Sequence, residues 1–137
     1  RIMQELGIQL TRPDGESENL ITARTYAAIF RILYNASYLT KEYSDEALKI
    51  LTETSFDKGA TAKIPKNVVV AHKFAERTVM YEGQKPVKQF HECGLVYAKD
   101  SNEPYSFCIM TEGYSYEDLE SVVADLSLSI YEEMIKE

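Results

Sequence analysis

Long apolar runs, an excess of basic residues and metal-binding motifs are all missing from this sequence. No run approaches the roughly 20 apolar residues of a membrane-spanning helix, so we expect no membrane span in this chain. The net charge of −7 and the scattered basic residues argue against a nucleic-acid partner, because a polyanion would be repelled. The opening RIMQELGIQL lacks the apolar core and the small-residue cleavage site of a signal peptide, so no targeting signal is visible.

Metal and cofactor chemistry has few side chains to use, because the chain has only two histidines and two cysteines. There is no H-E-x-x-H, no C-x-x-C and no carboxylate cluster with ligand spacing, so we expect no metal and no cofactor. His91 and Cys93 would share one face of a strand, but a third and a fourth ligand are missing. A structural His91, hydrogen-bonded at the start of a strand, is favoured instead.

Cys93 and Cys108 lie on neighbouring predicted strands and leave two interpretations open. The two thiols can face each other across a hairpin, or both can be buried and free. The second interpretation is favoured because unpaired cysteine is among the most buried residue types, and neither one identifies a cellular compartment.

The length of 137 residues and the apolar content of 45% predict one domain with one core, over residues 1–137. The sequence begins without Met, in the middle of a helical pattern, so we expect this domain to be incomplete and any targeting signal to lie upstream.

Apolar spacing and turn residues predict the order of the structural elements. The predicted helices are about 1–9, 22–37, 44–54 and 115–136, and the predicted strands are about 67–75, 93–98 and 105–111. Loops are expected at 11–19 and 99–104, a helix is expected to follow Ser44, and the expected helix N-caps are Thr22 and Ser115. The apolar faces predicted for the last two helices are Ala47, Leu48, Ile50 and Leu51, and Leu119, Val122, Val123, Leu126 and Ile130. The predicted fold class is α+β, an antiparallel sheet packed with helices.

The stretch Ser55-Phe56-Asp57-Lys58 matches S-x-x-K, in which one helical turn sets a lysine beside a nucleophilic serine. The match falls past the end of the predicted helix 44–54, where that turn is not expected. A surface loop is therefore favoured for it.

Residues 68–77, VVVAHKFAER, combine a buried-strand signal with two groups that are costly to bury, His72 and Lys73. Strand alternation places Lys73 and Ala75 on one face and His72 and Phe74 on the other. A lysine at this place is either a snorkelling edge residue or a charge placed for an anionic ligand, and composition does not choose between them.

Three stretches together resemble the C-terminal part of the serine β-lactamase and penicillin-binding-protein superfamily, nearest to its bacterial class A-like hydrolases. They are NLITARTYAAIFRILYNASYLTKEYSDEAL, VVVAHKFAE and HECGLVYAKDSNEPYSFCIMTEG, and the resemblance runs from about residue 6 to the end. In that family two helices precede a strand with a Lys-Thr/Ser-Gly motif, two antiparallel strands follow, and a long helix packs on the sheet. The resemblance implies the C-terminal part of a β-lactamase/transpeptidase-like fold.

The strand motif supplies the site residues that the resemblance implies. Lys73 matches the motif lysine, which would receive the carboxylate of a β-lactam or of a peptidoglycan peptide, and Lys73, Phe74 and Ala75 would line the substrate-binding groove. The backbone N–H of Glu76 would be an oxyanion-hole donor. Phe74 stands where the family has a hydroxyl, and Ala75 stands where it has glycine, which adds a Cβ where the ligand approaches.

The family's S-x-x-K nucleophile, its S-x-N motif and its deacylating acid lie upstream of the matched stretch, and Ser55 aligns with a connector. The resemblance therefore implies the C-terminal portion of a serine hydrolase of β-lactams or D-Ala-D-Ala peptides, located outside the cytoplasm, with this chain alone inactive. The alternatives are a superfamily member that serves as a binding or structural module without chemistry, and an unrelated α+β domain. A lone portion would expose sheet edges and apolar faces, which predicts contact with the N-terminal portion of the same protein or self-association.

Overall fold

A computed structural model describes residues 2–8, 21–98 and 103–136. Its elements are α1 (Ile2–Glu5), α2 (Ala23–Tyr34), α3 (Lys41–Thr52), β1 (Val69–Val79), β2 (Val87–Tyr97), β3 (Tyr105–Gly113) and α4 (Tyr116–Met134). The three strands form one antiparallel sheet in the order β1-β2-β3. The predicted α+β class is therefore confirmed, whereas the predicted loop 11–19 and most of the connection 99–104 lie outside the described residues.

The first two strands are longer than predicted. They pair from Val69 opposite Tyr97 to Val79 opposite Val87, so β1 continues past residue 75 and β2 begins well before residue 93. The added part of β1 is exposed on both faces and carries no burial alternation. Hydrogen bonding to β2 keeps this part of β1 in a strand conformation, and the hydrophobic pattern of the sequence does not reveal such pairing.

Helix α4 covers one side of the sheet, which we call the α4 face. Its core contains Phe90 and Val96 of β2, Phe107 of β3, and Leu119 and Val123 of α4. Helices α2 and α3 cover the opposite side, the α2/α3 face, over a smaller core that includes Phe30, Leu48, Ala71, Cys93 and Leu95. The sheet is thus the middle layer of three.

Both predicted helix caps are confirmed, whereas the helix expected to follow Ser44 has a different start. Thr22 accepts a hydrogen bond from the Thr25 N–H at 3.1 Å, and Ser115 accepts one from the Asp118 N–H at 3.4 Å. Helix α3 begins earlier than predicted, because its N-cap is Thr40, and Ser44 is a buried residue inside it.

The predicted bounds and apolar faces of some helices also differ from the structure. Helix α1 ends at Glu5, short of residue 9. Ile50, Val122 and Leu126 are 62%, 47% and 46% exposed, although the apolar spacing predicted them to be inside. Helix α4 instead turns inward a face that includes the small residues Ala124 and Ser127, which allow a helix to approach a sheet closely. Of the helices in the described ranges, none combines the length and the apolar character needed to cross a bilayer.

Candidate active site

The four consecutive residues predicted as site residues lie in the middle of β1, the first strand of the sheet. Lys73, Ala75 and Glu76 are exposed, and Phe74 is half-buried. Phe74 packs into the core of the α4 face, so alternation turns Lys73 and Ala75 toward the opposite face. The structure thus turns the Cβ atoms of Lys73 and Ala75 to one face of the sheet and the Phe74 ring to the other. Their roles in binding a ligand stay predictions.

Within the described residues β1 pairs only with β2, so its other edge, here called the open edge, has no strand beside it. The backbone N–H and C=O groups of every second residue of β1 point toward this open edge. The Thr54 hydroxyl donates to the His72 carbonyl at 3.2 Å, and the Lys73 ammonium donates to the Phe74 carbonyl, and both donors lie outside the β1–β2 ladder. In an antiparallel pair, residues whose backbone groups point outward alternate with residues that bond to the neighbouring strand. Glu76 has the same parity as His72 and Phe74, so its N–H also points outward. This is the direction that an oxyanion-hole donor requires.

The Lys73 ammonium lies at this open edge and faces solvent. Besides its bond to the Phe74 carbonyl, it lies 5.0 Å from the centroid of the Phe74 ring. Within the described ranges it forms no salt bridge with a carboxylate. An exposed ammonium with no carboxylate partner in this part of the chain attracts an anionic ligand.

A cavity of about 350 Å³ adjoins this edge, and its lining includes Tyr26, Ala75, Arg77 and His91. Burial, and to a smaller extent the negative charge of Glu92, raises the pKa of the Tyr26 phenol, which therefore stays a hydrogen-bond donor at neutral pH.

His91 is hydrogen-bonded, as predicted, but in the interior of β2 and not at a strand start. Its Nδ1 accepts from the Thr111 N–H at 3.3 Å, so the proton of the neutral ring is on Nε2. Within residues 2–8, 21–98 and 103–136, no three His, Cys, Asp or Glu side chains are grouped so that they could hold a metal ion.

A buried acid–base pair lies behind the candidate site, on the α4 face. His72 Nδ1 and Glu92 Oε1 are 2.5 Å apart, and their side chains are only 3% and 0% exposed. The other carboxylate oxygen of Glu92 accepts the Ala60 N–H at 2.7 Å. The burial of His72 has its explanation here, since a buried polar group is stabilised when it is hydrogen-bonded.

Sequence reasoning missed Glu92 as the partner of His72. Two glycines leave the space that the pair occupies: a Cβ on Gly59 would lie 2.0 Å from Glu92 Oε2, and a Cβ on Gly94 would lie 2.9 Å from His72 Cβ. The available signal was a charged residue at a core-facing position of β2, two residues from Phe90.

Cys93 and Cys108 form a disulfide, so the favoured prediction of two free thiols is wrong. The two residues are directly opposite each other in β2 and β3, with their Cα atoms 4.0 Å apart. Register places the two sulfur atoms on one face, and register cannot be read from the spacing of two cysteines. Cys93 is also the cross-strand partner of Lys73, so the disulfide lies beside the candidate site.

The Ser55 and Lys58 pair lies in the connector after α3, outside any helix. The one-turn geometry of a serine nucleophile with its lysine is therefore absent here, which confirms the interpretation of this stretch as a loop.

Comparison with known proteins gives a family and a fold. A sequence model of the β-lactamase enzyme family matches residues 1–134. Among curated proteins no match was found. The chain is similar in structure to PBP-A, with a TM-score of 0.75 and 19% identity over 99% of this chain and 50% of that one.

Two further solved structures are similar in fold to this chain. The TLA-1 extended-spectrum β-lactamase has a TM-score of 0.75 and 17% identity over 98% of this chain and 52% of its own. A β-lactamase from Xanthomonas campestris pv. campestris has a TM-score of 0.71 and 13% identity over 93% of this chain and 50% of its own. The chain thus spans about half the length of the solved structures that it matches. The family match and the shared fold confirm the resemblance seen in the sequence.

Proposed function

Because the chain belongs to the β-lactamase enzyme family, we propose that it forms the lysine-bearing half of a serine hydrolase of β-lactams or D-Ala-D-Ala peptides. One observation supports this proposal: Lys73 carries an exposed ammonium at the open edge of β1, and the backbone N–H of Glu76, three residues along the same strand, has the outward-pointing parity. A carboxylate and a polarised carbonyl are the two groups that such an edge fits, and β-lactams and D-Ala-D-Ala peptides carry both.

Each residue of the edge has its own task in the proposed reaction. Lys73 attracts the carboxylate of the ligand and fixes its orientation. The Glu76 N–H donates to the carbonyl oxygen as negative charge develops on it during attack by a serine hydroxyl. The serine oxygen bonds to the carbonyl carbon and gives up its proton, the carbon–nitrogen bond breaks, and the leaving nitrogen takes up a proton. Water then attacks the resulting ester, which releases the acid and restores the serine hydroxyl. The nucleophilic serine belongs to a part of the protein outside these 137 residues.

The ligand and the location follow from the same proposal. β-Lactams and peptidoglycan peptides are met outside the cytoplasm, so we place the protein in the periplasm, at the cell surface or in the medium. Its N-terminal portion, or a second copy, would complete the groove. A variant of PBP-A has been solved as an acyl-enzyme complex with penicillin G, which supports the choice of probe for this chain.

Covalent labelling of the intact protein with a fluorescent penicillin tests the proposal. We expect a labelled serine upstream of Arg1, and slower labelling of a Lys73→Ala variant. An intact, folded protein that takes up no label at saturating penicillin would contradict the proposed reaction.

A second candidate function is a module that binds the same ligands without chemistry. It is favoured by Phe74 and Ala75, which stand where the family has a hydroxyl residue and glycine. Reversible penicillin binding that depends on Lys73 and leaves no adduct would identify this module. Turnover of nitrocefin that rises in a Phe74→Thr/Ala75→Gly variant would instead favour an enzyme weakened by these two residues.

A further inference from the structure

Few buried contacts hold the part of β1 that carries the candidate site. From Lys73 onward, β1 is mostly exposed on both faces, and within the described residues only β2 pairs with it. A strand with these properties opens locally at low cost, because few buried contacts hold it. Its position therefore depends on the side chains behind it, on the α4 face.

The residue before Lys73 is fixed by the buried pair. His72 bonds through Nδ1 to Glu92 of β2, and Glu92 bonds through its other oxygen to the Ala60 N–H of the connector between α3 and β1. The Thr54 hydroxyl, at the start of this connector, donates a hydrogen bond to the His72 carbonyl. Strand β2 and the connector between α3 and β1 thus both bond to His72.

The residue after Lys73 is fixed by ring packing. The Phe74 ring stacks on the Phe56 ring with centroids 3.9 Å apart and an interplanar angle of 18°. Both rings also pack against Phe90 in the core, with centroid distances of 5.7 and 6.3 Å. Phe56 belongs to the same connector as Ala60. A hydroxyl side chain at position 74 would make none of these contacts.

We propose that Glu92 and Phe56 are positioning residues that hold β1 from behind, together with His72 and Phe74, the two neighbours of Lys73. This group of four, the rear clamp, fixes the strand so that the Lys73 ammonium and the Glu76 N–H keep their relative position at the open edge. The inference rests on the proposed function in so far as these two groups are what is positioned. It also gives Phe74 a physical role at the place where the family has a hydroxyl.

Amide hydrogen exchange of the intact protein tests the clamp directly. Lys73 and Ala75 are the residues whose N–H groups bond to β2, and Val123 inside α4 reports global opening. In Glu92→Ala and Phe56→Ala we expect exchange at Lys73 and Ala75 to accelerate about 10-fold more than exchange at Val123. Glu92→Gln keeps both hydrogen bonds, since its amide donates to His72 and its carbonyl accepts from Ala60, so its exchange should stay near that of the wild type.

The matched control is Glu112→Ala, which removes an exposed strand carboxylate that accepts from the Gln89 amide at 2.8 Å. It should leave the exchange of Lys73 and Ala75 unchanged. Equal acceleration at Lys73 and Val123 in the clamp variants would overturn the inference, because it indicates general destabilisation. If Glu92→Ala does not fold, the comparison of exchange at Lys73 and Ala75 with exchange at Val123 in Phe56→Ala decides the question.

Acylation by fluorescent penicillin is the second readout. Glu92→Ala and Phe56→Ala should lower the acylation rate at saturating penicillin by about 10-fold to 100-fold, since small displacements of a site cost this much, whereas Glu112→Ala should not. Wild-type acylation rates in both clamp variants would overturn the inference. An unlabelled wild type would contradict the proposed function alone, and the exchange comparison would still decide whether the clamp exists.

Discussion

Replacing Gly59 with alanine should destabilise the protein through a single buried contact. The added Cβ would lie 2.0 Å from Glu92 Oε2 and 3.1 Å from Phe56 Cε1, and Glu92 is fully buried. The carboxylate has to leave the Ala60 N–H, because His72 holds its other oxygen. Losing a hydrogen bond to a charged group costs about 1.5–3 kcal/mol, and crowding a packed core costs about 1–3 kcal/mol.

We therefore expect Gly59→Ala to lower the free energy of unfolding by about 2.5–6 kcal/mol, a large part of the roughly 5–15 kcal/mol that holds a domain together. Urea unfolding of the intact protein, followed by circular dichroism, measures this change. The control is Gly113→Ala, whose Cβ would meet only the end of the Leu119 side chain at 3.1 Å. That flexible side chain can move, so the control should lose less than about 1 kcal/mol.

The double variant Gly59→Ala/Glu92→Ala separates the clash from other effects of the new methyl group. With the carboxylate removed, the additional cost of Gly59→Ala should fall below about 1 kcal/mol, so the two changes should not be additive. A single Gly59→Ala variant within about 1 kcal/mol of the wild type would refute the reasoning, because the buried carboxylate would then have room to move.

Three further predictions concern other parts of the fold. Burial, with a contribution from Tyr131, raises the pKa of Tyr105 to about 12, and its buried hydroxyl has no hydrogen-bond partner in the described part of the chain. Tyr105→Phe should therefore gain up to about 1 kcal/mol at pH 7. It should also remove the loss of stability that the wild type shows as the pH rises from 10.0, the ordinary pKa, to about 12, where tyrosine ionises first in the unfolded chain. Urea titrations over this pH range check both effects, and a loss at pH 7 would contradict the first. Removing the disulfide in Cys93→Ala/Cys108→Ala opens a loop with a sequence separation of 15, which should cost about 3 kcal/mol in urea unfolding. An unchanged unfolding midpoint would indicate that the two thiols are not joined in solution. Lys73→Met should weaken the binding of an anionic penicillin while changing stability by less than about 0.5 kcal/mol, because the side chain is exposed. A large loss of stability would show that Lys73 has a structural role.

The predictions from sequence succeeded where one element sets its own pattern. Thr22 and Ser115 cap their helices because a cap is a local hydrogen bond to a residue three positions ahead. The helix expected to follow Ser44 begins one turn earlier, because Thr40 accepts the Tyr43 N–H at 3.4 Å and is its N-cap. Ser44 is instead buried inside this helix.

The candidate site was predicted in part. Alternation along β1 correctly separated Lys73 and Ala75 from His72 and Phe74, because neighbouring side chains in a strand point to opposite faces. The partner of His72 was missed, since Glu92 follows it by 20 residues along the chain and meets it only through the β1–β2 register.

The sequence by itself determined the α+β class, an antiparallel sheet with helices against it, and the opposite faces of Lys73 and Phe74 along β1. These properties depend on local periodicity, which the order of residues states directly. Tertiary structure alone decided the Cys93–Cys108 disulfide, the burial of Glu92 and the stacking of Phe56 on Phe74. Each of these depends on contacts between separate segments, and a shift of one residue in strand register would turn Cys93, Glu92 or Phe74 to the other face of the sheet.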